Sequence, residues 1–137
     1  MSDSIRVRVC VAVVCDSKIL LVPHYNHPDA PIVWHMPGGK VEHCETLTHA
    51  AEREFEEETG YKITCNNLLG YTEAIQPEKS YHGLALAFSG SITGGELRAE
   101  PEHNYGDVDK TPRWFSLAEL QNVAYHAPEI VQKVFHD

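Results

Sequence analysis

Glu54, Glu57 and Glu58 crowd into one short segment whose spacing is that of a helix turned toward a protein core. At about 100° of rotation per residue, Leu47, Ala50 and Ala51 form one stripe, and the three glutamates continue it. An apolar seam therefore becomes a cluster of carboxylates. The cluster stops just before Gly60, a helix terminator, so it lies at the end where the helix dipole already presents partial negative charge. Such a concentration of like charge calls for a cation. A hard divalent ion such as Mg2+ is the simplest answer, because it takes oxygen ligands at about 2.0–2.1 Å and keeps waters that a phosphate can displace. The competing reading of the same residues is a solvated acidic helix. Glu52 and Glu56 fall on the opposite side with His49 and read as ordinary surface.

The elements that hold this helix follow from the flanking pattern. Residues 5–14, I-R-V-R-V-C-V-A-V-V, alternate and then run apolar, as a strand does when it enters the interior of a sheet. Asp16, Ser17 and Lys18 turn the chain, and residues 19–22 read as the hairpin partner. Residues 24–31, with Pro28 and Pro31, read as a loop. A short strand ends near Trp34, and residues 36–40, Met-Pro-Gly-Gly-Lys, read as a turn that brings bare backbone to the surface. Thr46 is the expected N-cap of the acidic helix, which runs to about Thr59. Residues 68–74 and 83–93 read as two more strands, the second closed by Gly94 and Gly95, and residues 113–115 as a last short one. The capping box Ser116-Leu117-Ala118-Glu119 opens a helix, and Pro128 fits the first turn of a final helix to about Phe135. Strands on both sides of a central helix, with helices at the end, predict an α/β layered sandwich built on a mixed sheet.

Composition narrows the partners. The 137 residues suffice for one domain with a real core and are few for two, and no linker divides them. A content of 42% hydrophobic and 23% charged residues is that of a soluble globular protein. With 11 Lys plus Arg against 20 Asp plus Glu, the net charge of −9 repels a nucleic-acid backbone or an anionic membrane as main partner. It admits a small phosphorylated ligand screened by cations. Cys10, Cys15, Cys44 and Cys65 show no C-x-x-C pair and read as reduced thiols. The start, Met1 to Ser4, lacks a basic flank and a hydrophobic signal core, and no apolar run reaches the ~18 residues of a membrane span. A cytoplasmic setting is the expectation. Nine histidines show no H-x3-H or H-x-x-H pair on a helix, so no zinc site is expected.

From the glycine turn the chain reads Gly39, five residues, Glu45, seven residues, then Arg53-Glu54-Phe55-Glu56-Glu57-Glu58-Thr59-Gly60-Tyr61. This resembles the signature of the Nudix hydrolase superfamily, the MutT-like pyrophosphohydrolases. The flanks agree: Trp34-x-Met36-Pro37-Gly38-Gly39 precedes the box as in that family, and residues 114–120, W-F-S-L-A-E-L, resemble its closing segment. The resemblance implies one Nudix-type α/β/α sandwich over residues 1–137, with a mixed central β-sheet and a catalytic loop-helix-loop. It implies a divalent metal, usually Mg2+ with Mn2+ as a substitute, and water attack on phosphorus in a nucleoside diphosphate linked to a further group. Carried over by position, Glu54, Glu57 and Glu58 are metal ligands, and the backbone carbonyl of Gly38 completes the inner shell. Glu57 is the preferred acceptor of the water's proton. Arg53 pairs with a carboxylate and fixes its orientation, and Glu45 joins the metal and base network as a secondary residue.

The sequence departs from common family usage in three places. Phe55 and Tyr61 replace aliphatic residues, which bears on packing rather than chemistry, and Cys44 stands where glycine is frequent, so its backbone must avoid positive φ or tolerate strain. Among the loop acids Glu100, Glu102, Asp107 and Asp109, Glu102 is the candidate for an extra ligand or base. Tyr71, Tyr81 and Tyr105 are candidates for stacking on a nucleobase, and Trp34 belongs to the core wall. Pro77, 16 positions after Tyr61, resembles the placement in ADP-ribose pyrophosphatases.

The expected activity is thus Mg2+-dependent hydrolysis of the pyrophosphate linkage in a small nucleoside diphosphate derivative, ADP-ribose, nucleotide-sugar or nucleoside triphosphate, releasing a nucleoside monophosphate. The alternatives are a dinucleoside polyphosphate hydrolase and a nucleotide-sensing domain that kept the fold without hydrolysis. A homodimer is compatible with either reading.

Overall fold

Alternation in the first strand, β1 (Arg6–Ala12), sorts its side chains to two opposite faces. Val9 and Val11 are buried on one, whereas Arg6, Arg8 and Cys10 stand on the other. In this computed structural model, which describes residues 4–25, 29–100 and 108–136, β1 is an inner strand of a four-stranded mixed sheet. The strands β5 (Gly38–Lys40), β1, β7 (Tyr81–Gly95) and β6 (Tyr61–Gln76) lie side by side in that order. β1 runs parallel to β7, and the other pairings are antiparallel. The second, antiparallel sheet centres on β3 (Lys18–His24), which pairs with β2 (Val14–Cys15), β4 (Val33–His35) and β8 (Arg113–Ser116).

One helix covers each face. The acidic helix α1 (Leu47–Thr59) packs Ala50, Ala51 and Phe55 against Val9, Val11, Val13, Leu20 and Phe88. Two alanines let the helix axis approach the sheet, and Phe55 fills the remaining space; full burial of a side chain that size contributes roughly 1.5–3 kcal/mol. On the other face, α3 (Pro128–His136) sets Ile130 and Val131 against Ala12, Leu21, Ala87 and Phe115, with Leu120 of the short helix α2 (Leu117–Leu120) in the same core. The α/β/α layering on a mixed sheet is as expected. Among the described residues no helix is long and apolar enough to cross a membrane.

Several expectations need correction. Residues 38–40 are a strand, not an exposed turn: Gly39 pairs with Val9 and is buried, because two glycines let a third backbone settle beside β1. β6 starts at Tyr61, directly after the helix stop, rather than at residue 68; register shifts after Lys62, Cys65 and Leu68 break the alternation that would reveal it. The buried seam of α1 runs on through Phe55 and Thr59, with Glu54 and Glu58 beside it and Glu57 at its edge. Glu52 is not plain surface, since its Oε2 accepts the Cys65 N–H at 2.9 Å and ties α1 to β6. Met1, Ser2, Asp3 and Pro28 lie outside the described residues.

Candidate active site

α1 is fixed at both ends by its own sequence. The Thr46 hydroxyl accepts the His49 N–H at 3.2 Å, and Gly60 closes the helix at φ 84° with its N–H on the Glu56 carbonyl. The last carbonyls of the helix meet a positive charge that the sequence did not point to. Arg98 donates to the carbonyls of Glu57 and Glu56 at 3.0 and 3.1 Å, and its own N–H reaches Thr59 O at 2.8 Å. Arg98 lies 41 positions from Glu57, and nothing local marks it.

Arg53 organises the acidic cluster. Its Nε and Nη2 fork onto both oxygens of Glu45 at 2.8 and 3.0 Å. Nη1 donates to Glu54 at 2.6 Å and to Glu57 at 3.3 Å, and Nη2 also reaches the Lys40 carbonyl at 3.1 Å. One guanidinium thus joins the helix, the loop before it and the end of β5. Glu45 is pulled down to about 2, first by this hydrogen bond and then by the Glu42 N–H, and the Arg53 guanidinium is held still more firmly in its charged form. Cys44, at φ 67°, adopts the left-handed backbone that glycine would take without strain, and so places Glu45 for the fork.

Glu54 and Glu58 behave differently. The Glu58 carboxylate accepts the Gly38 N–H at 2.6 Å, and desolvation by burial raises it to about 8, with the Gly38 hydrogen bond opposing and Glu100 and Glu54 adding to the rise. Glu54, 17% exposed, is raised by burial and by Glu57 against the pull of Arg53. Its carboxylate occupies the space into which any side chain at position 39 would project, and a Cβ at position 38 would strike the backbone of Val9 and Cys10. The two glycines therefore bring bare backbone against both carboxylates. Glu57, 51% exposed, reaches solvent. With Glu54 and Glu57 drawn onto Arg53 and Glu58 onto Gly38, no group of three or more His, Cys, Asp or Glu side chains among the described residues is drawn tightly enough to hold an ion. The donors are nonetheless hard carboxylate oxygens under mutual repulsion, the set a divalent cation of the Mg2+ type prefers.

A cleft of about 420 Å³ opens beside this cluster, with Gly38, Gly39 and Glu58 in its wall. Three histidines from separate segments meet there: His24 and His35 edge to face at 4.4 Å, and His35 and His126 stacked at 4.7 Å. They converge because β3 pairs with β4 and because the His126 N–H bonds the Trp34 carbonyl, a non-local arrangement that spacing alone does not reveal. Tyr81 lines the cleft, whereas Tyr71 is 67% exposed on β6 and Trp34 is buried against Phe115. Pro77 opens the single 3₁₀ turn, Pro77–Lys79, that joins β6 to β7, a local reason for its place. Of the loop acids, Glu100 pairs with Lys110 at 3.6 Å and raises Glu58, while Asp109 accepts the Thr111 N–H at 2.9 Å. Glu102, Tyr105 and Asp107 lie outside the described residues.

Residues 4–134 match the family described as NUDIX domain. The chain is 33% identical over 117 residues to the ADP-ribose pyrophosphatase of Methanocaldococcus jannaschii, covering 85% of this chain and 65% of that protein. It is 30% identical over 116 residues to the NAD-capped RNA hydrolase NudC of Vibrio atlanticus, covering 85% and 39% respectively, so it spans less than two thirds of the length of either relative. Among solved structures, a MutT NUDIX hydrolase from Burkholderia pseudomallei superposes with a TM-score of 0.73 at 31% identity, over 95% of this chain and 97% of that one.

Proposed function

Because this chain belongs to the NUDIX family, we propose that its acidic cluster and the adjoining cleft hydrolyse the pyrophosphate linkage of a small nucleoside diphosphate derivative and release a nucleoside monophosphate. One observation supports this above all others. Glu54 and Glu58, whose charge burial disfavours, are pressed against the bare backbone of Gly38 and Gly39 at the mouth of a cleft large enough for part of a nucleotide. Charge that costs this much in a plain acidic helix is explained if a cation and a phosphate complete the site.

Glu54, Glu57, Glu58 and the carbonyl of Gly38 would hold Mg2+, with Mn2+ as a substitute. When bound, the ion neutralises the phosphates and lowers the pKa of a coordinated water. The protein's own residues do the rest. Glu57, the most exposed of the three acids, accepts the proton as the water oxygen bonds to phosphorus. The bridging P–O bond breaks, and the leaving group departs with its electron pair. Arg53 orients Glu54 and Glu57 through one guanidinium nitrogen, and Glu45 locks that guanidinium from the other side. The four free cysteines suit a reducing, cytoplasmic setting.

A nucleotide-product screen with and without Mg2+ tests this reading. It covers ADP-ribose, nucleotide sugars, nucleoside triphosphates, dinucleoside polyphosphates and, given the name of the Vibrio relative, NAD-capped RNA. Mg2+-dependent monophosphate release from at least one small nucleotide is the expected outcome. Tight nucleotide binding without turnover would favour the sensing domain instead.

A further inference from the structure

The cleft extends beyond the acidic cluster, and its chemistry changes sign along the way. Register sets its floor: Arg8 of β1 pairs with Ala85 of β7, which pairs with Thr72 of β6, and the next row is Arg6, Gly83 and Ala74. Residues paired across strands point to the same face. The rows therefore place long cationic side chains at one side of a floor of small residues that cannot cover them. Arg6 lies over the ring of Tyr81 at 5.1 Å. The side chain of Arg8, exposed on the cleft side, makes no ion pair or hydrogen bond among the described residues, whereas Arg53, Arg98 and Arg113 are all engaged.

Resting on the reading above, we propose that Arg8 is the specificity-determining residue of this site: it binds a further anionic group of the substrate, a phosphate beyond the two joined by the cleaved linkage. The preferred substrates are then nucleotides with an extended phosphate chain, and nucleoside diphosphates ending in an uncharged sugar are the poorer ones. Lys110, although paired with Glu100 at 3.6 Å, lines the same cleft and adds a second positive charge. The facing wall does not compete for the anion. His24 and His35 are pushed down by burial first and then by neighbouring cations, so at neutral pH they are uncharged rings able to donate or accept one hydrogen bond. Glu58, the carboxylate of the cleft wall, sits at the Gly38 end with the acidic cluster. In a chain of net charge −9, a guanidinium that faces into a cleft and has no side-chain partner among the described residues is a local reversal suited to a phosphate.

The test compares kcat/KM for a nucleoside triphosphate and a nucleotide sugar built on the same nucleoside, in wild type, Arg8→Gln and Arg8→Lys. Wild type favours the triphosphate. Arg8→Gln shrinks that preference by about tenfold or more, through KM, as loss of one charge-assisted contact does, and Arg8→Lys keeps part of it. A wild type that favours the sugar, or an Arg8→Gln variant that leaves the preference unchanged, overturns the proposal. A second arm needs no turnover: inorganic tripolyphosphate raises the Tm of wild type more than that of Arg8→Gln. If no compound is hydrolysed, the hydrolase reading falls, and this arm still decides about Arg8. Equal protection of both proteins then overturns the assignment.

Discussion

The Glu58 carboxylate reaches back across twenty residues of chain to accept the Gly38 N–H at 2.6 Å. Together with the Arg53 contact to the Lys40 carbonyl, that bond ties α1 back to β5: the end of the helix is hydrogen-bonded to the first residue of the strand that precedes it. Glu58 is thereby aimed, in a fixed direction, at the mouth of the cleft.

Glu57→Gln should leave the fold intact and reduce turnover by about 10²–10⁴-fold, the usual contribution of a positioned base. Its side chain is half exposed, so the substitution opens no cavity. Steady-state kinetics beside an unchanged far-UV spectrum checks this, and near-normal activity in a folded variant would refute the role.

Arg53→Lys keeps the charge and loses the fork onto Glu45. Activity or Mg2+ affinity should fall about 10–100-fold, as for other residues that orient ligands from behind. Mg2+ titration followed by Tm separates the loss in affinity from the loss in rate.

The two glycines should fail in different ways. Gly38→Ala drives a methyl group into the backbone of β1 and should destabilise the protein by about 1–3 kcal/mol or more. The atoms nearest a Cβ at position 39 belong to the movable side chain of Glu54, so Gly39→Ala should fold better than Gly38→Ala and lose Mg2+ affinity. Chemical denaturation of both variants, with and without the ion, gives the comparison.

His35 is pushed down to about 3 by burial, with His24, His126 and Arg8 adding to the effect, against 6.5 for a free imidazole. Since the folded value is the lower one, the unfolded chain takes up the proton first. The contribution to stability is complete above 6.5 and is lost as the pH falls toward 3, by at most about 1.4 kcal/mol per pH unit. Glu58, raised to about 8, has the opposite slope as the pH rises from its ordinary value of 4.5. The readout is therefore the difference between wild type and His35→Gln, which should narrow as the solution is acidified. A difference that stays constant with pH would contradict the burial of a neutral His35.

Cys44→Gly relieves a left-handed backbone at φ 67° and should stabilise the protein by up to about 1 kcal/mol, part of the gain being offset by a freer unfolded chain. Urea unfolding measures it. A loss of stability would show that the Cys44 side chain contributes contacts of its own.

What could be read in advance was local. Thr46 and Gly60 announced both ends of α1 because a cap and a stop act within one turn of their own helix. The carboxylate trio was equally visible, since its members share one helical surface. β5 was hidden because Gly-Gly has no side-chain pattern and reads as a turn until β1 is beside it. The early half of β6 was hidden by its bulges. Arg98, Arg8 and the three histidines carry no signal in their own neighbourhoods. Their partners arrive from other strands and loops, so only the tertiary fold brings them to the site.

The alternation of β1 has a consequence for how the molecule guards against error. Arg8 and Cys10 face the cleft, and Val9 and Val11 face the core beneath α1. A slip of one residue would exchange these sets, thrusting a guanidinium toward Phe55 and turning valine side chains toward the cleft. The buried charge alone would make such a slipped chain untenable. The same alternation that builds the wall of the cleft therefore also holds β1 in register.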